Sequence, residues 1–335
     1  MRSEYTEIWE LLNKRSRGSS NNDVCYQEAN SCGKTSVSYA LNLADGRYGI
    51  LIRSPEIRED YSLPKSTRGF SSKLIFLSGY LYLGLWISDE KYNDVFRTFS
   101  EDLVRILGSL PDDSDALSVI LNHILKWENF MEKLHDGGLS PEEQRGLFGE
   151  LYFMEHILVP VYGIKDTIRC WYGSEKNPQD FLIGQGSAVE VKTTISKSPV
   201  LIHISSEHQL DADGFFALYL YHQELVRLKG TGDTLNGIVD RMRELAADDA
   251  ETYTELNRKL TLRNYRFPDR SIYEDYGYSV AHEHIYHVSE DFPKITRNDL
   301  ISGVCNVKYA ITVGSLTSFE IEMTEFEEHL RRMEL

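Results

Sequence analysis

The stretch NPQDFLIGQGSAVEVKTT, residues 177–194, decides how the rest of the chain is interpreted. Two apolar segments, QDFLIG and AVEVKTT, flank the turn GQGS and predict a β-hairpin. Successive side chains alternate between the faces of a strand, so Glu190 and Lys192 share one face. The midpoint of positions 180 and 190 falls in the turn, which predicts that Asp180 and Glu190 lie opposite each other, about 5 Å apart.

Two carboxylates at that separation repel each other unless a proton or a cation lies between them. A magnesium ion typically takes one or two carboxylates together with substrate phosphate, and a nearby lysine can orient or deprotonate a water. The alternative is an exposed hairpin with a solvated ladder of charges, since the bare spacing D-x(9)-E-x-K occurs by chance in acidic proteins. The apolar opposite face of the second strand, with Val189 and Val191, favours a converging site.

A helix with three start signals precedes the hairpin. Ser140 is a capping residue, Pro141 occupies the first helical position, and Glu143 completes a capping box. Four apolar residues predict one buried stripe on this helix: Leu147, Leu151, Met154 and Leu158. Glu150 borders that stripe, so we expect it to lie beside the buried face. The competing interpretation is a glutamate that faces solvent.

The segment HDGGLS, residues 135–140, is the best candidate for a domain boundary. Before it, alternating patterns followed by helical spacing predict an α+β domain, residues 1–135, of unknown role. After it, we expect a second domain, residues 139–335, with further strands and a long helical stretch over 234–262. Ser206 with Gln209 three residues later predicts a short capped helix, in which Gln209 is the partner of the cap.

Composition limits the function. The 335 residues carry a net charge of −16, which argues against a protein that coats nucleic acid non-specifically. Four scattered cysteines indicate neither a zinc ribbon nor a disulfide framework. The N-terminus MRSEYTEIWE does not read as a signal peptide, and no segment has the length of a membrane span. We therefore expect a cytoplasmic protein without a membrane partner.

Two further motifs resemble ligand-binding sites but lack part of the required pattern. HEHIYH, which contains His282, His284 and His287, offers histidines on one strand face but no further ligand at zinc spacing. The tripeptide Gly33-Lys34-Thr35 resembles the end of a phosphate-binding loop. Such a loop needs a glycine at the position of Glu28, so a nucleoside triphosphatase is not predicted.

The order of helix with Glu, strand with Asp, turn and strand with Glu-x-Lys resembles the core of the PD-(D/E)xK nuclease superfamily, the restriction-endonuclease-like fold. The resemblance implies that Asp180 and Glu190 bind Mg²⁺, with Mn²⁺ as a substitute, and that Lys192 serves the attacking water. It further implies the Val191 carbonyl and Glu150 as additional metal ligands. The expected fold class is α/β, α+β overall, in which helices flank a mixed central sheet and the smaller α+β domain precedes it.

The first half of the motif departs from the usual Pro-Asp pair, because Gln179 separates Pro178 from Asp180. A closer resemblance covers most of the chain. LSPEEQRGLFGELYFMEHIL, HISSEHQLD and DFPKITRNDLISGVCNVKYAI are similar to the bacterial proteins called PD-(D/E)xK motif proteins, which occur beside methylases and ATPases in defence clusters. This likeness suggests that Gln209 lines the site.

The resemblance therefore implies a metal-dependent endonuclease that hydrolyses DNA phosphodiester bonds as the effector of a bacterial restriction or antiphage system. Its expected partners are DNA and a methyltransferase, helicase or ATPase subunit on which its activity depends. A homodimer is a further expectation, since such nucleases often pair to cut both strands. The alternative is a non-catalytic subunit that assembles a defence complex or positions DNA.

Overall fold

The computed structural model describes residues 4–16, 24–58, 63–111, 115–132, 138–173, 177–184, 186–195 and 198–333. The chain divides into two compact units: Met1–Asp136 with Arg266–Pro268, and Gly137–Tyr265 with Asp269–Leu335. Among the described helices, none has the length and the apolar character needed to cross a membrane.

The first unit is an antiparallel sheet with helices packed against it. Its elements are α1 (Glu4–Ser16), β1 (Val24–Cys32), β2 (Thr35–Asn42), β3 (Tyr48–Arg53), β4 (Phe70–Leu77), β5 (Tyr80–Ile87), α2 (Asn93–Ser109) and α3 (Ala116–Glu132). The strand order is β1-β2-β3-β5-β4. Phe99 of α2 stacks on Phe70 of β4 with ring centroids 5.3 Å apart, and Trp9 of α1 meets Tyr39 of β2 at 5.5 Å. Aromatic contacts thus join the helices to the sheet.

The second unit contains the hairpin. Its elements are α4 (Pro141–Phe153), α5 (Val159–Cys170), β6 (Phe181–Ile183), β7 (Ser187–Ile195), β8 (Leu201–Ile204), β9 (Ala217–Lys229), β10 (Asp233–Thr234), α6 (Leu235–Leu245), α7 (Ala250–Leu262), β11 (Tyr276–His287), β12 (Tyr309–Thr312), β13 (Glu320–Ile321) and α8 (Met323–Arg332). The main sheet has the order β10-β11-β9-β7-β6, and β13 pairs with β11.

This sheet is mixed, as the sequence predicts. Strands β7 and β9 pair in parallel, whereas β6 pairs with β7, and β11 with β9, antiparallel. Strand β7 therefore has a neighbour on each side. Glu190 has β9 on one side and the segment that leads into β6 on the other, which helps to explain how it becomes fully buried.

Apolar residues cover both faces of the sheet. Val189 and Val191 of β7 belong to a core shared with α4, α5, α6 and α8. On the other face, Ala188 and Leu220 pack against Ile202 and Ile311, which come from the small two-stranded sheet of β8 and β12. Glu190 lies on this second face, where the charged residues of β7 follow directly on an apolar core.

Helix α4 begins where its start signals predict. The Ser140 hydroxyl accepts a hydrogen bond from the Glu143 backbone N–H, and the Glu143 carboxylate accepts one from the Ser140 N–H, which completes the predicted capping box. The predicted stripe is buried throughout. Residues Met154–Leu158 form a π-helical turn, and Gly163, with φ +74°, interrupts α5.

Two expected helices differ from the structure. The stretch 234–262 is two helices, because α6 ends near Ala246 and Asp249 caps a new helix, α7, by accepting from the Glu251 N–H. Residues 206–210 form a turn instead of the predicted short capped helix. Gln185, at the predicted centre of the hairpin turn, lies outside the described residues.

Substitution of Gly149 tests how closely α4 packs on the sheet. A Cβ at this position would lie 2.2 Å from Thr193 Cγ2 and 2.9 Å from Gln223 Oε1. The Gly149→Ala variant should therefore lose about 1–3 kcal/mol of unfolding free energy, the usual cost of overpacking. Chemical denaturation of the full chain measures the change.

Gly146, one turn earlier on α4, is the matched control, since a Cβ there meets nothing within 4 Å. Gly146→Ala should stabilise the protein by roughly 0.5–1 kcal/mol, because alanine loses less backbone entropy in a helix. Equal stability changes in the two variants would contradict the close packing of α4 on β7.

Candidate active site

The hairpin register brings the two predicted carboxylates face to face. Phe181 pairs with Val189 and Ile183 with Ser187, so the next position outward sets Asp180 opposite Glu190. Asp180 Oδ2 accepts a hydrogen bond of 2.9 Å from the backbone N–H of Val191. The register therefore brings together the Asp and the Glu-x-Lys segments of the sequence pattern.

The backbone of Asp180 is also held. Its carbonyl oxygen accepts from the N–H groups of Tyr172 and Gly173, at 2.7 and 3.0 Å, and Trp171 forms a bridge with Phe181. These bonds extend the sheet by one further segment beyond β6. As a result, the backbone of Asp180 is hydrogen-bonded to a neighbouring segment, although Asp180 lies one residue before β6.

Glu190 is the charged residue of the site that is most completely shielded from solvent. Its side chain is 0% exposed, and among the described residues neither carboxylate oxygen has a hydrogen-bond partner with acceptable geometry. Lys192 Nζ lies 2.6 Å from Glu190 Oε1, an ion pair by distance only. Burial and the charge of Asp180 raise the pKa of Glu190 to about 8, against the opposing effect of Lys192.

Lys192 is held from two sides. Besides its contact with Glu190, its ammonium donates a hydrogen bond of 3.1 Å to Gln209 Oε1, which also accepts one of 2.7 Å from the Ser205 N–H. Burial lowers the pKa of Lys192, but the surrounding carboxylates outweigh it, so that the net shift is upward. The ammonium is therefore a fixed hydrogen-bond donor at neutral pH.

Gln209 thus contacts Lys192 and supports the local backbone with the same oxygen. Gln179, which separates Pro178 from Asp180, also supports the local backbone through its side chain. It is 2% exposed, and its Nε2 donates to the carbonyl oxygens of His208 at 2.8 Å and Gln209 at 3.4 Å. The departure from the Pro-Asp pattern therefore ties the approach to Asp180 to the turn that carries Gln209.

Glu150 is buried beside the same site, so the interpretation of a solvent-facing glutamate is wrong. Its Oε2 accepts a hydrogen bond of 2.7 Å from the Trp171 indole N–H, and its Oε1 pairs with the Arg263 guanidinium. Burial raises the pKa of Glu150 to about 7, opposed by Arg263 and supported by Asp180. Both carboxylate oxygens are therefore already engaged.

Arg263 and Trp171 are site residues that sequence reasoning missed. Arg263 follows α7 and lies 113 residues from Glu150 in the chain, and Trp171 follows α5. No fixed spacing links either residue to the Asp and Glu-x-Lys segments. The one available signal for such partners was the burial expected of Glu150, because a buried carboxylate needs a cation or a hydrogen-bond donor nearby.

Gly173 leaves room between two of the carboxylates. A Cβ at this position would lie 2.7 Å from Asp180 Oδ1 and 3.2 Å from Glu150 Oε2. Both oxygens therefore border one small space. Any side chain larger than hydrogen would occupy it.

The donor set suits a hard cation. Among the described residues, no group of three or more His, Cys, Asp or Glu side chains is arranged to hold a metal ion. Mg²⁺ needs fewer, since it usually takes one or two carboxylates and fills its shell with water and phosphate. Asp180, Glu190 and the Val191 carbonyl can provide oxygen ligands, and the observation that fits such an ion is Glu190, whose oxygens have no well-aligned hydrogen bond among the described residues beyond the close Lys192 ammonium.

The histidine motif lies on a neighbouring strand. His282 and His284 of β11 are stacked with ring centroids 6.3 Å apart, and His284 Nδ1 lies 2.6 Å from Glu320 Oε1. His284 also stacks on His222 of β9 at 6.0 Å. Contacts with Glu320 and other aromatic rings, not a shared ligand position, organise these imidazoles.

The raised pKa of Glu190 predicts how stability depends on pH without metal. Between the pKa of the unfolded chain, near 4.5, and about 8, the folded protein holds a proton that the unfolded chain has released. Stability should therefore fall as pH rises through this range. Glu190→Gln removes the titrating group, so the variant should gain stability relative to wild type between about pH 5.5 and pH 8.5.

Denaturant midpoints of both proteins in EDTA, at the two ends of that range, measure the effect. Equal pH dependence of wild type and Glu190→Gln would show that Glu190 is ionised throughout, contrary to its burial. Glu290→Gln, a change at an exposed position of the same unit, is the control for overall charge.

Comparison with known proteins supplies a family. The family model described as "Putative PD-(D/E)XK family member, (DUF4420)" matches residues 5–314. No curated protein and no solved structure gives a significant match. The match spans nearly the whole chain and includes the positions of all the site residues described above. The chain therefore belongs to the DUF4420 family, a PD-(D/E)XK-type family.

Proposed function

We propose that this chain is a metal-dependent endonuclease that hydrolyses phosphodiester bonds in DNA. The observation that carries the proposal is Glu190: a carboxylate with no solvent exposure and no satisfactory hydrogen bond among the described residues, opposite Asp180 and beside Lys192. Membership of the family supports a nuclease-like activity. The choice of DNA as substrate extends this by resemblance to related nucleases.

Asp180, Glu190 and the Val191 carbonyl would hold Mg²⁺, for which Mn²⁺ is the expected substitute. The bound ion would stabilise negative charge on the phosphate and lower the pKa of a water near it. The protein fixes one of these ligands firmly, since the Val191 N–H holds Asp180 Oδ2. Among the described residues, the Lys192 ammonium is the one cation that contacts the Glu190 oxygens, so they gain most from a metal ion.

Lys192 would act as a donor in this scheme. Its ammonium is anchored by Gln209 and keeps its proton, because its pKa is raised by Glu190 and Asp180 against the effect of burial. It would therefore orient the attacking water or a phosphate oxygen by hydrogen bonding, and would not remove a proton from water. Gln209 is a positioning residue for Lys192.

The charge balance supports dependence on a partner. Residues 137–335 contain 20 Lys and Arg against 32 Asp and Glu. Phosphate binding requires clustered cations, so the attraction between this domain and DNA should be weak. We propose that a methyltransferase, helicase or ATPase subunit of an antiphage defence system presents the DNA, and that a homodimer cuts both strands.

The same charge balance also favours the alternative, a non-catalytic subunit that assembles such a complex. The two functions differ in the need for a metal. A scaffold has no use for two carboxylates that accept Mg²⁺, whereas the nuclease requires them.

The decisive experiment is cleavage of supercoiled plasmid by the purified chain in Mg²⁺ or Mn²⁺. We expect nicked and linear DNA in wild type, and background levels with EDTA or with Asp180→Ala, which removes a carboxylate from the ion. Lys192→Met should lower the rate by about 10²–10³-fold, the usual cost of removing one hydrogen-bond donor that stabilises developing charge.

Asp291→Ala, which removes an exposed aspartate of the same unit, is the matched control and should cut like wild type. Cleavage that survives Asp180→Ala would place the activity elsewhere in the chain or in a contaminant. If wild type does not cut, the same assay is repeated with the protein's genomic neighbours, and metal binding separates a gated nuclease from a scaffold.

Metal binding is measured directly by titration with Mn²⁺, using its paramagnetic resonance signal. Wild type should bind Mn²⁺ and Asp180→Ala should not. Gly173→Ala should bind about 10–100-fold more weakly, because the new Cβ displaces the carboxylates of Asp180 and Glu150.

Gly146→Ala is the control for the glycine substitution, since its Cβ meets no neighbour. If the chain bound no Mn²⁺ near neutral pH, the nuclease proposal would fail and the scaffold would remain.

A further inference from the structure

Arg263 is the least expected member of the site. It caps the C-terminus of α7, where its backbone N–H donates to the Lys259 carbonyl at 3.0 Å. From there its guanidinium reaches Glu150 Oε1 through Nη2, and its Nη1 approaches the Gly173 carbonyl at 3.5 Å. The side chain of Arg263 is 27% exposed, whereas that of Glu150 is 5% exposed. The guanidinium therefore lies between a buried carboxylate and the solvent.

The contacts of Arg263 do not exhaust its donors. A guanidinium has five N–H groups, and the two contacts above use one from each terminal nitrogen. Its Nε is buried and has no hydrogen-bond partner among the described residues, so the second N–H of each terminal nitrogen is the donor left for a ligand. A salt bridge that served only to neutralise Glu150 would usually be bidentate, with both carboxylate oxygens on the guanidinium. Here the second oxygen of Glu150 accepts instead from Trp171.

Arg263 also acts on the other carboxylates. Its charge opposes the burial-driven rise in the pKa of Asp180, and it interacts with Glu190 as well. Three carboxylates thus share the region with two cations, Lys192 and Arg263. Lys192 contacts Glu190 and Arg263 contacts Glu150, so each cation pairs with a different carboxylate of the region.

We propose that Arg263 contacts the substrate phosphate, and that Glu150 positions Arg263 instead of binding the metal ion. A guanidinium can donate to a carboxylate from one edge and to a phosphate oxygen from another, which a lysine ammonium does less well. Glu150 has both oxygens occupied, by Trp171 and Arg263, and this occupation suits an anchor. The inference rests on the proposed function, since it requires a phosphodiester in the site.

The test uses the double variant Glu150→Gln/Arg263→Gln in the full chain. Removal of both partners avoids a buried unpaired charge, which single removal would leave. Two quantities are measured: Mn²⁺ affinity without DNA, and affinity for a 20-base-pair duplex in Ca²⁺ at several salt concentrations, by fluorescence anisotropy. Arg169→Gln, which removes an exposed arginine of the same unit, is the control.

We expect the double variant to bind Mn²⁺ within about 3-fold of wild type, because its ligands Asp180 and Glu190 remain. The slope of log affinity against log salt should fall by about 0.9, the value for one lost phosphate contact. The single variant Arg263→Lys should keep part of the slope that the double variant loses. The Arg169→Gln control should leave both the Mn²⁺ affinity and the slope unchanged.

An unchanged salt slope in the double variant would overturn the role of Arg263. A loss of Mn²⁺ affinity of tenfold or more would show that Glu150 is a metal ligand and would overturn its role as an anchor. Wild type that binds no Mn²⁺ would defeat the proposed nuclease instead, and the slope would still report whether Arg263 meets phosphate. The two proposals therefore fail by different measurements.

Discussion

The burial of Glu190 is the constraint on which the rest of the site depends. Strand β7 has neighbours on both sides, and an apolar core begins one step away on the same face, so water has no access to this carboxylate. A buried carboxylate without hydrogen bonds costs several kcal/mol unless it is protonated or meets a cation. The nearby Lys192 ammonium and the raised pKa of Glu190 both reflect that cost. A divalent cation between these carboxylates would offset both their mutual repulsion and the cost of burying them.

The sequence predicts the part of the site that local geometry controls. The grouping of Asp180, Glu190 and Lys192 follows from the two-residue period of a strand and the position of the turn. The structure keeps this grouping because backbone hydrogen bonds between β6 and β7 close the hairpin. The buried stripe on α4 follows in the same way from helical period.

Contacts between distant elements could not be predicted. Arg263 meets Glu150 because α7 lies against the segment that follows α5. No local spacing rule predicts how these two elements pack. Local rules also failed where two signals competed. Apolar spacing continues across 234–262, yet Asp249 can cap a new helix and does so. Gln209 has the spacing of a cap partner, but a side-chain oxygen has two lone pairs, and here it also reaches Lys192.

A fold alone does not separate an enzyme from a scaffold, but the energetics of these charges bear on the question. Buried ion pairs are often replaced by apolar residues of similar volume with no loss of stability. A subunit selected only for assembly would lose nothing with an apolar pair in place of Glu190 and Lys192, on a strand whose other residues include the buried Val189 and Val191. Instead, three acids converge, and Gly173 keeps open a space that any larger residue would fill. Stability gains nothing from that space, whereas the metal ion of the proposed nuclease would need it beside Asp180.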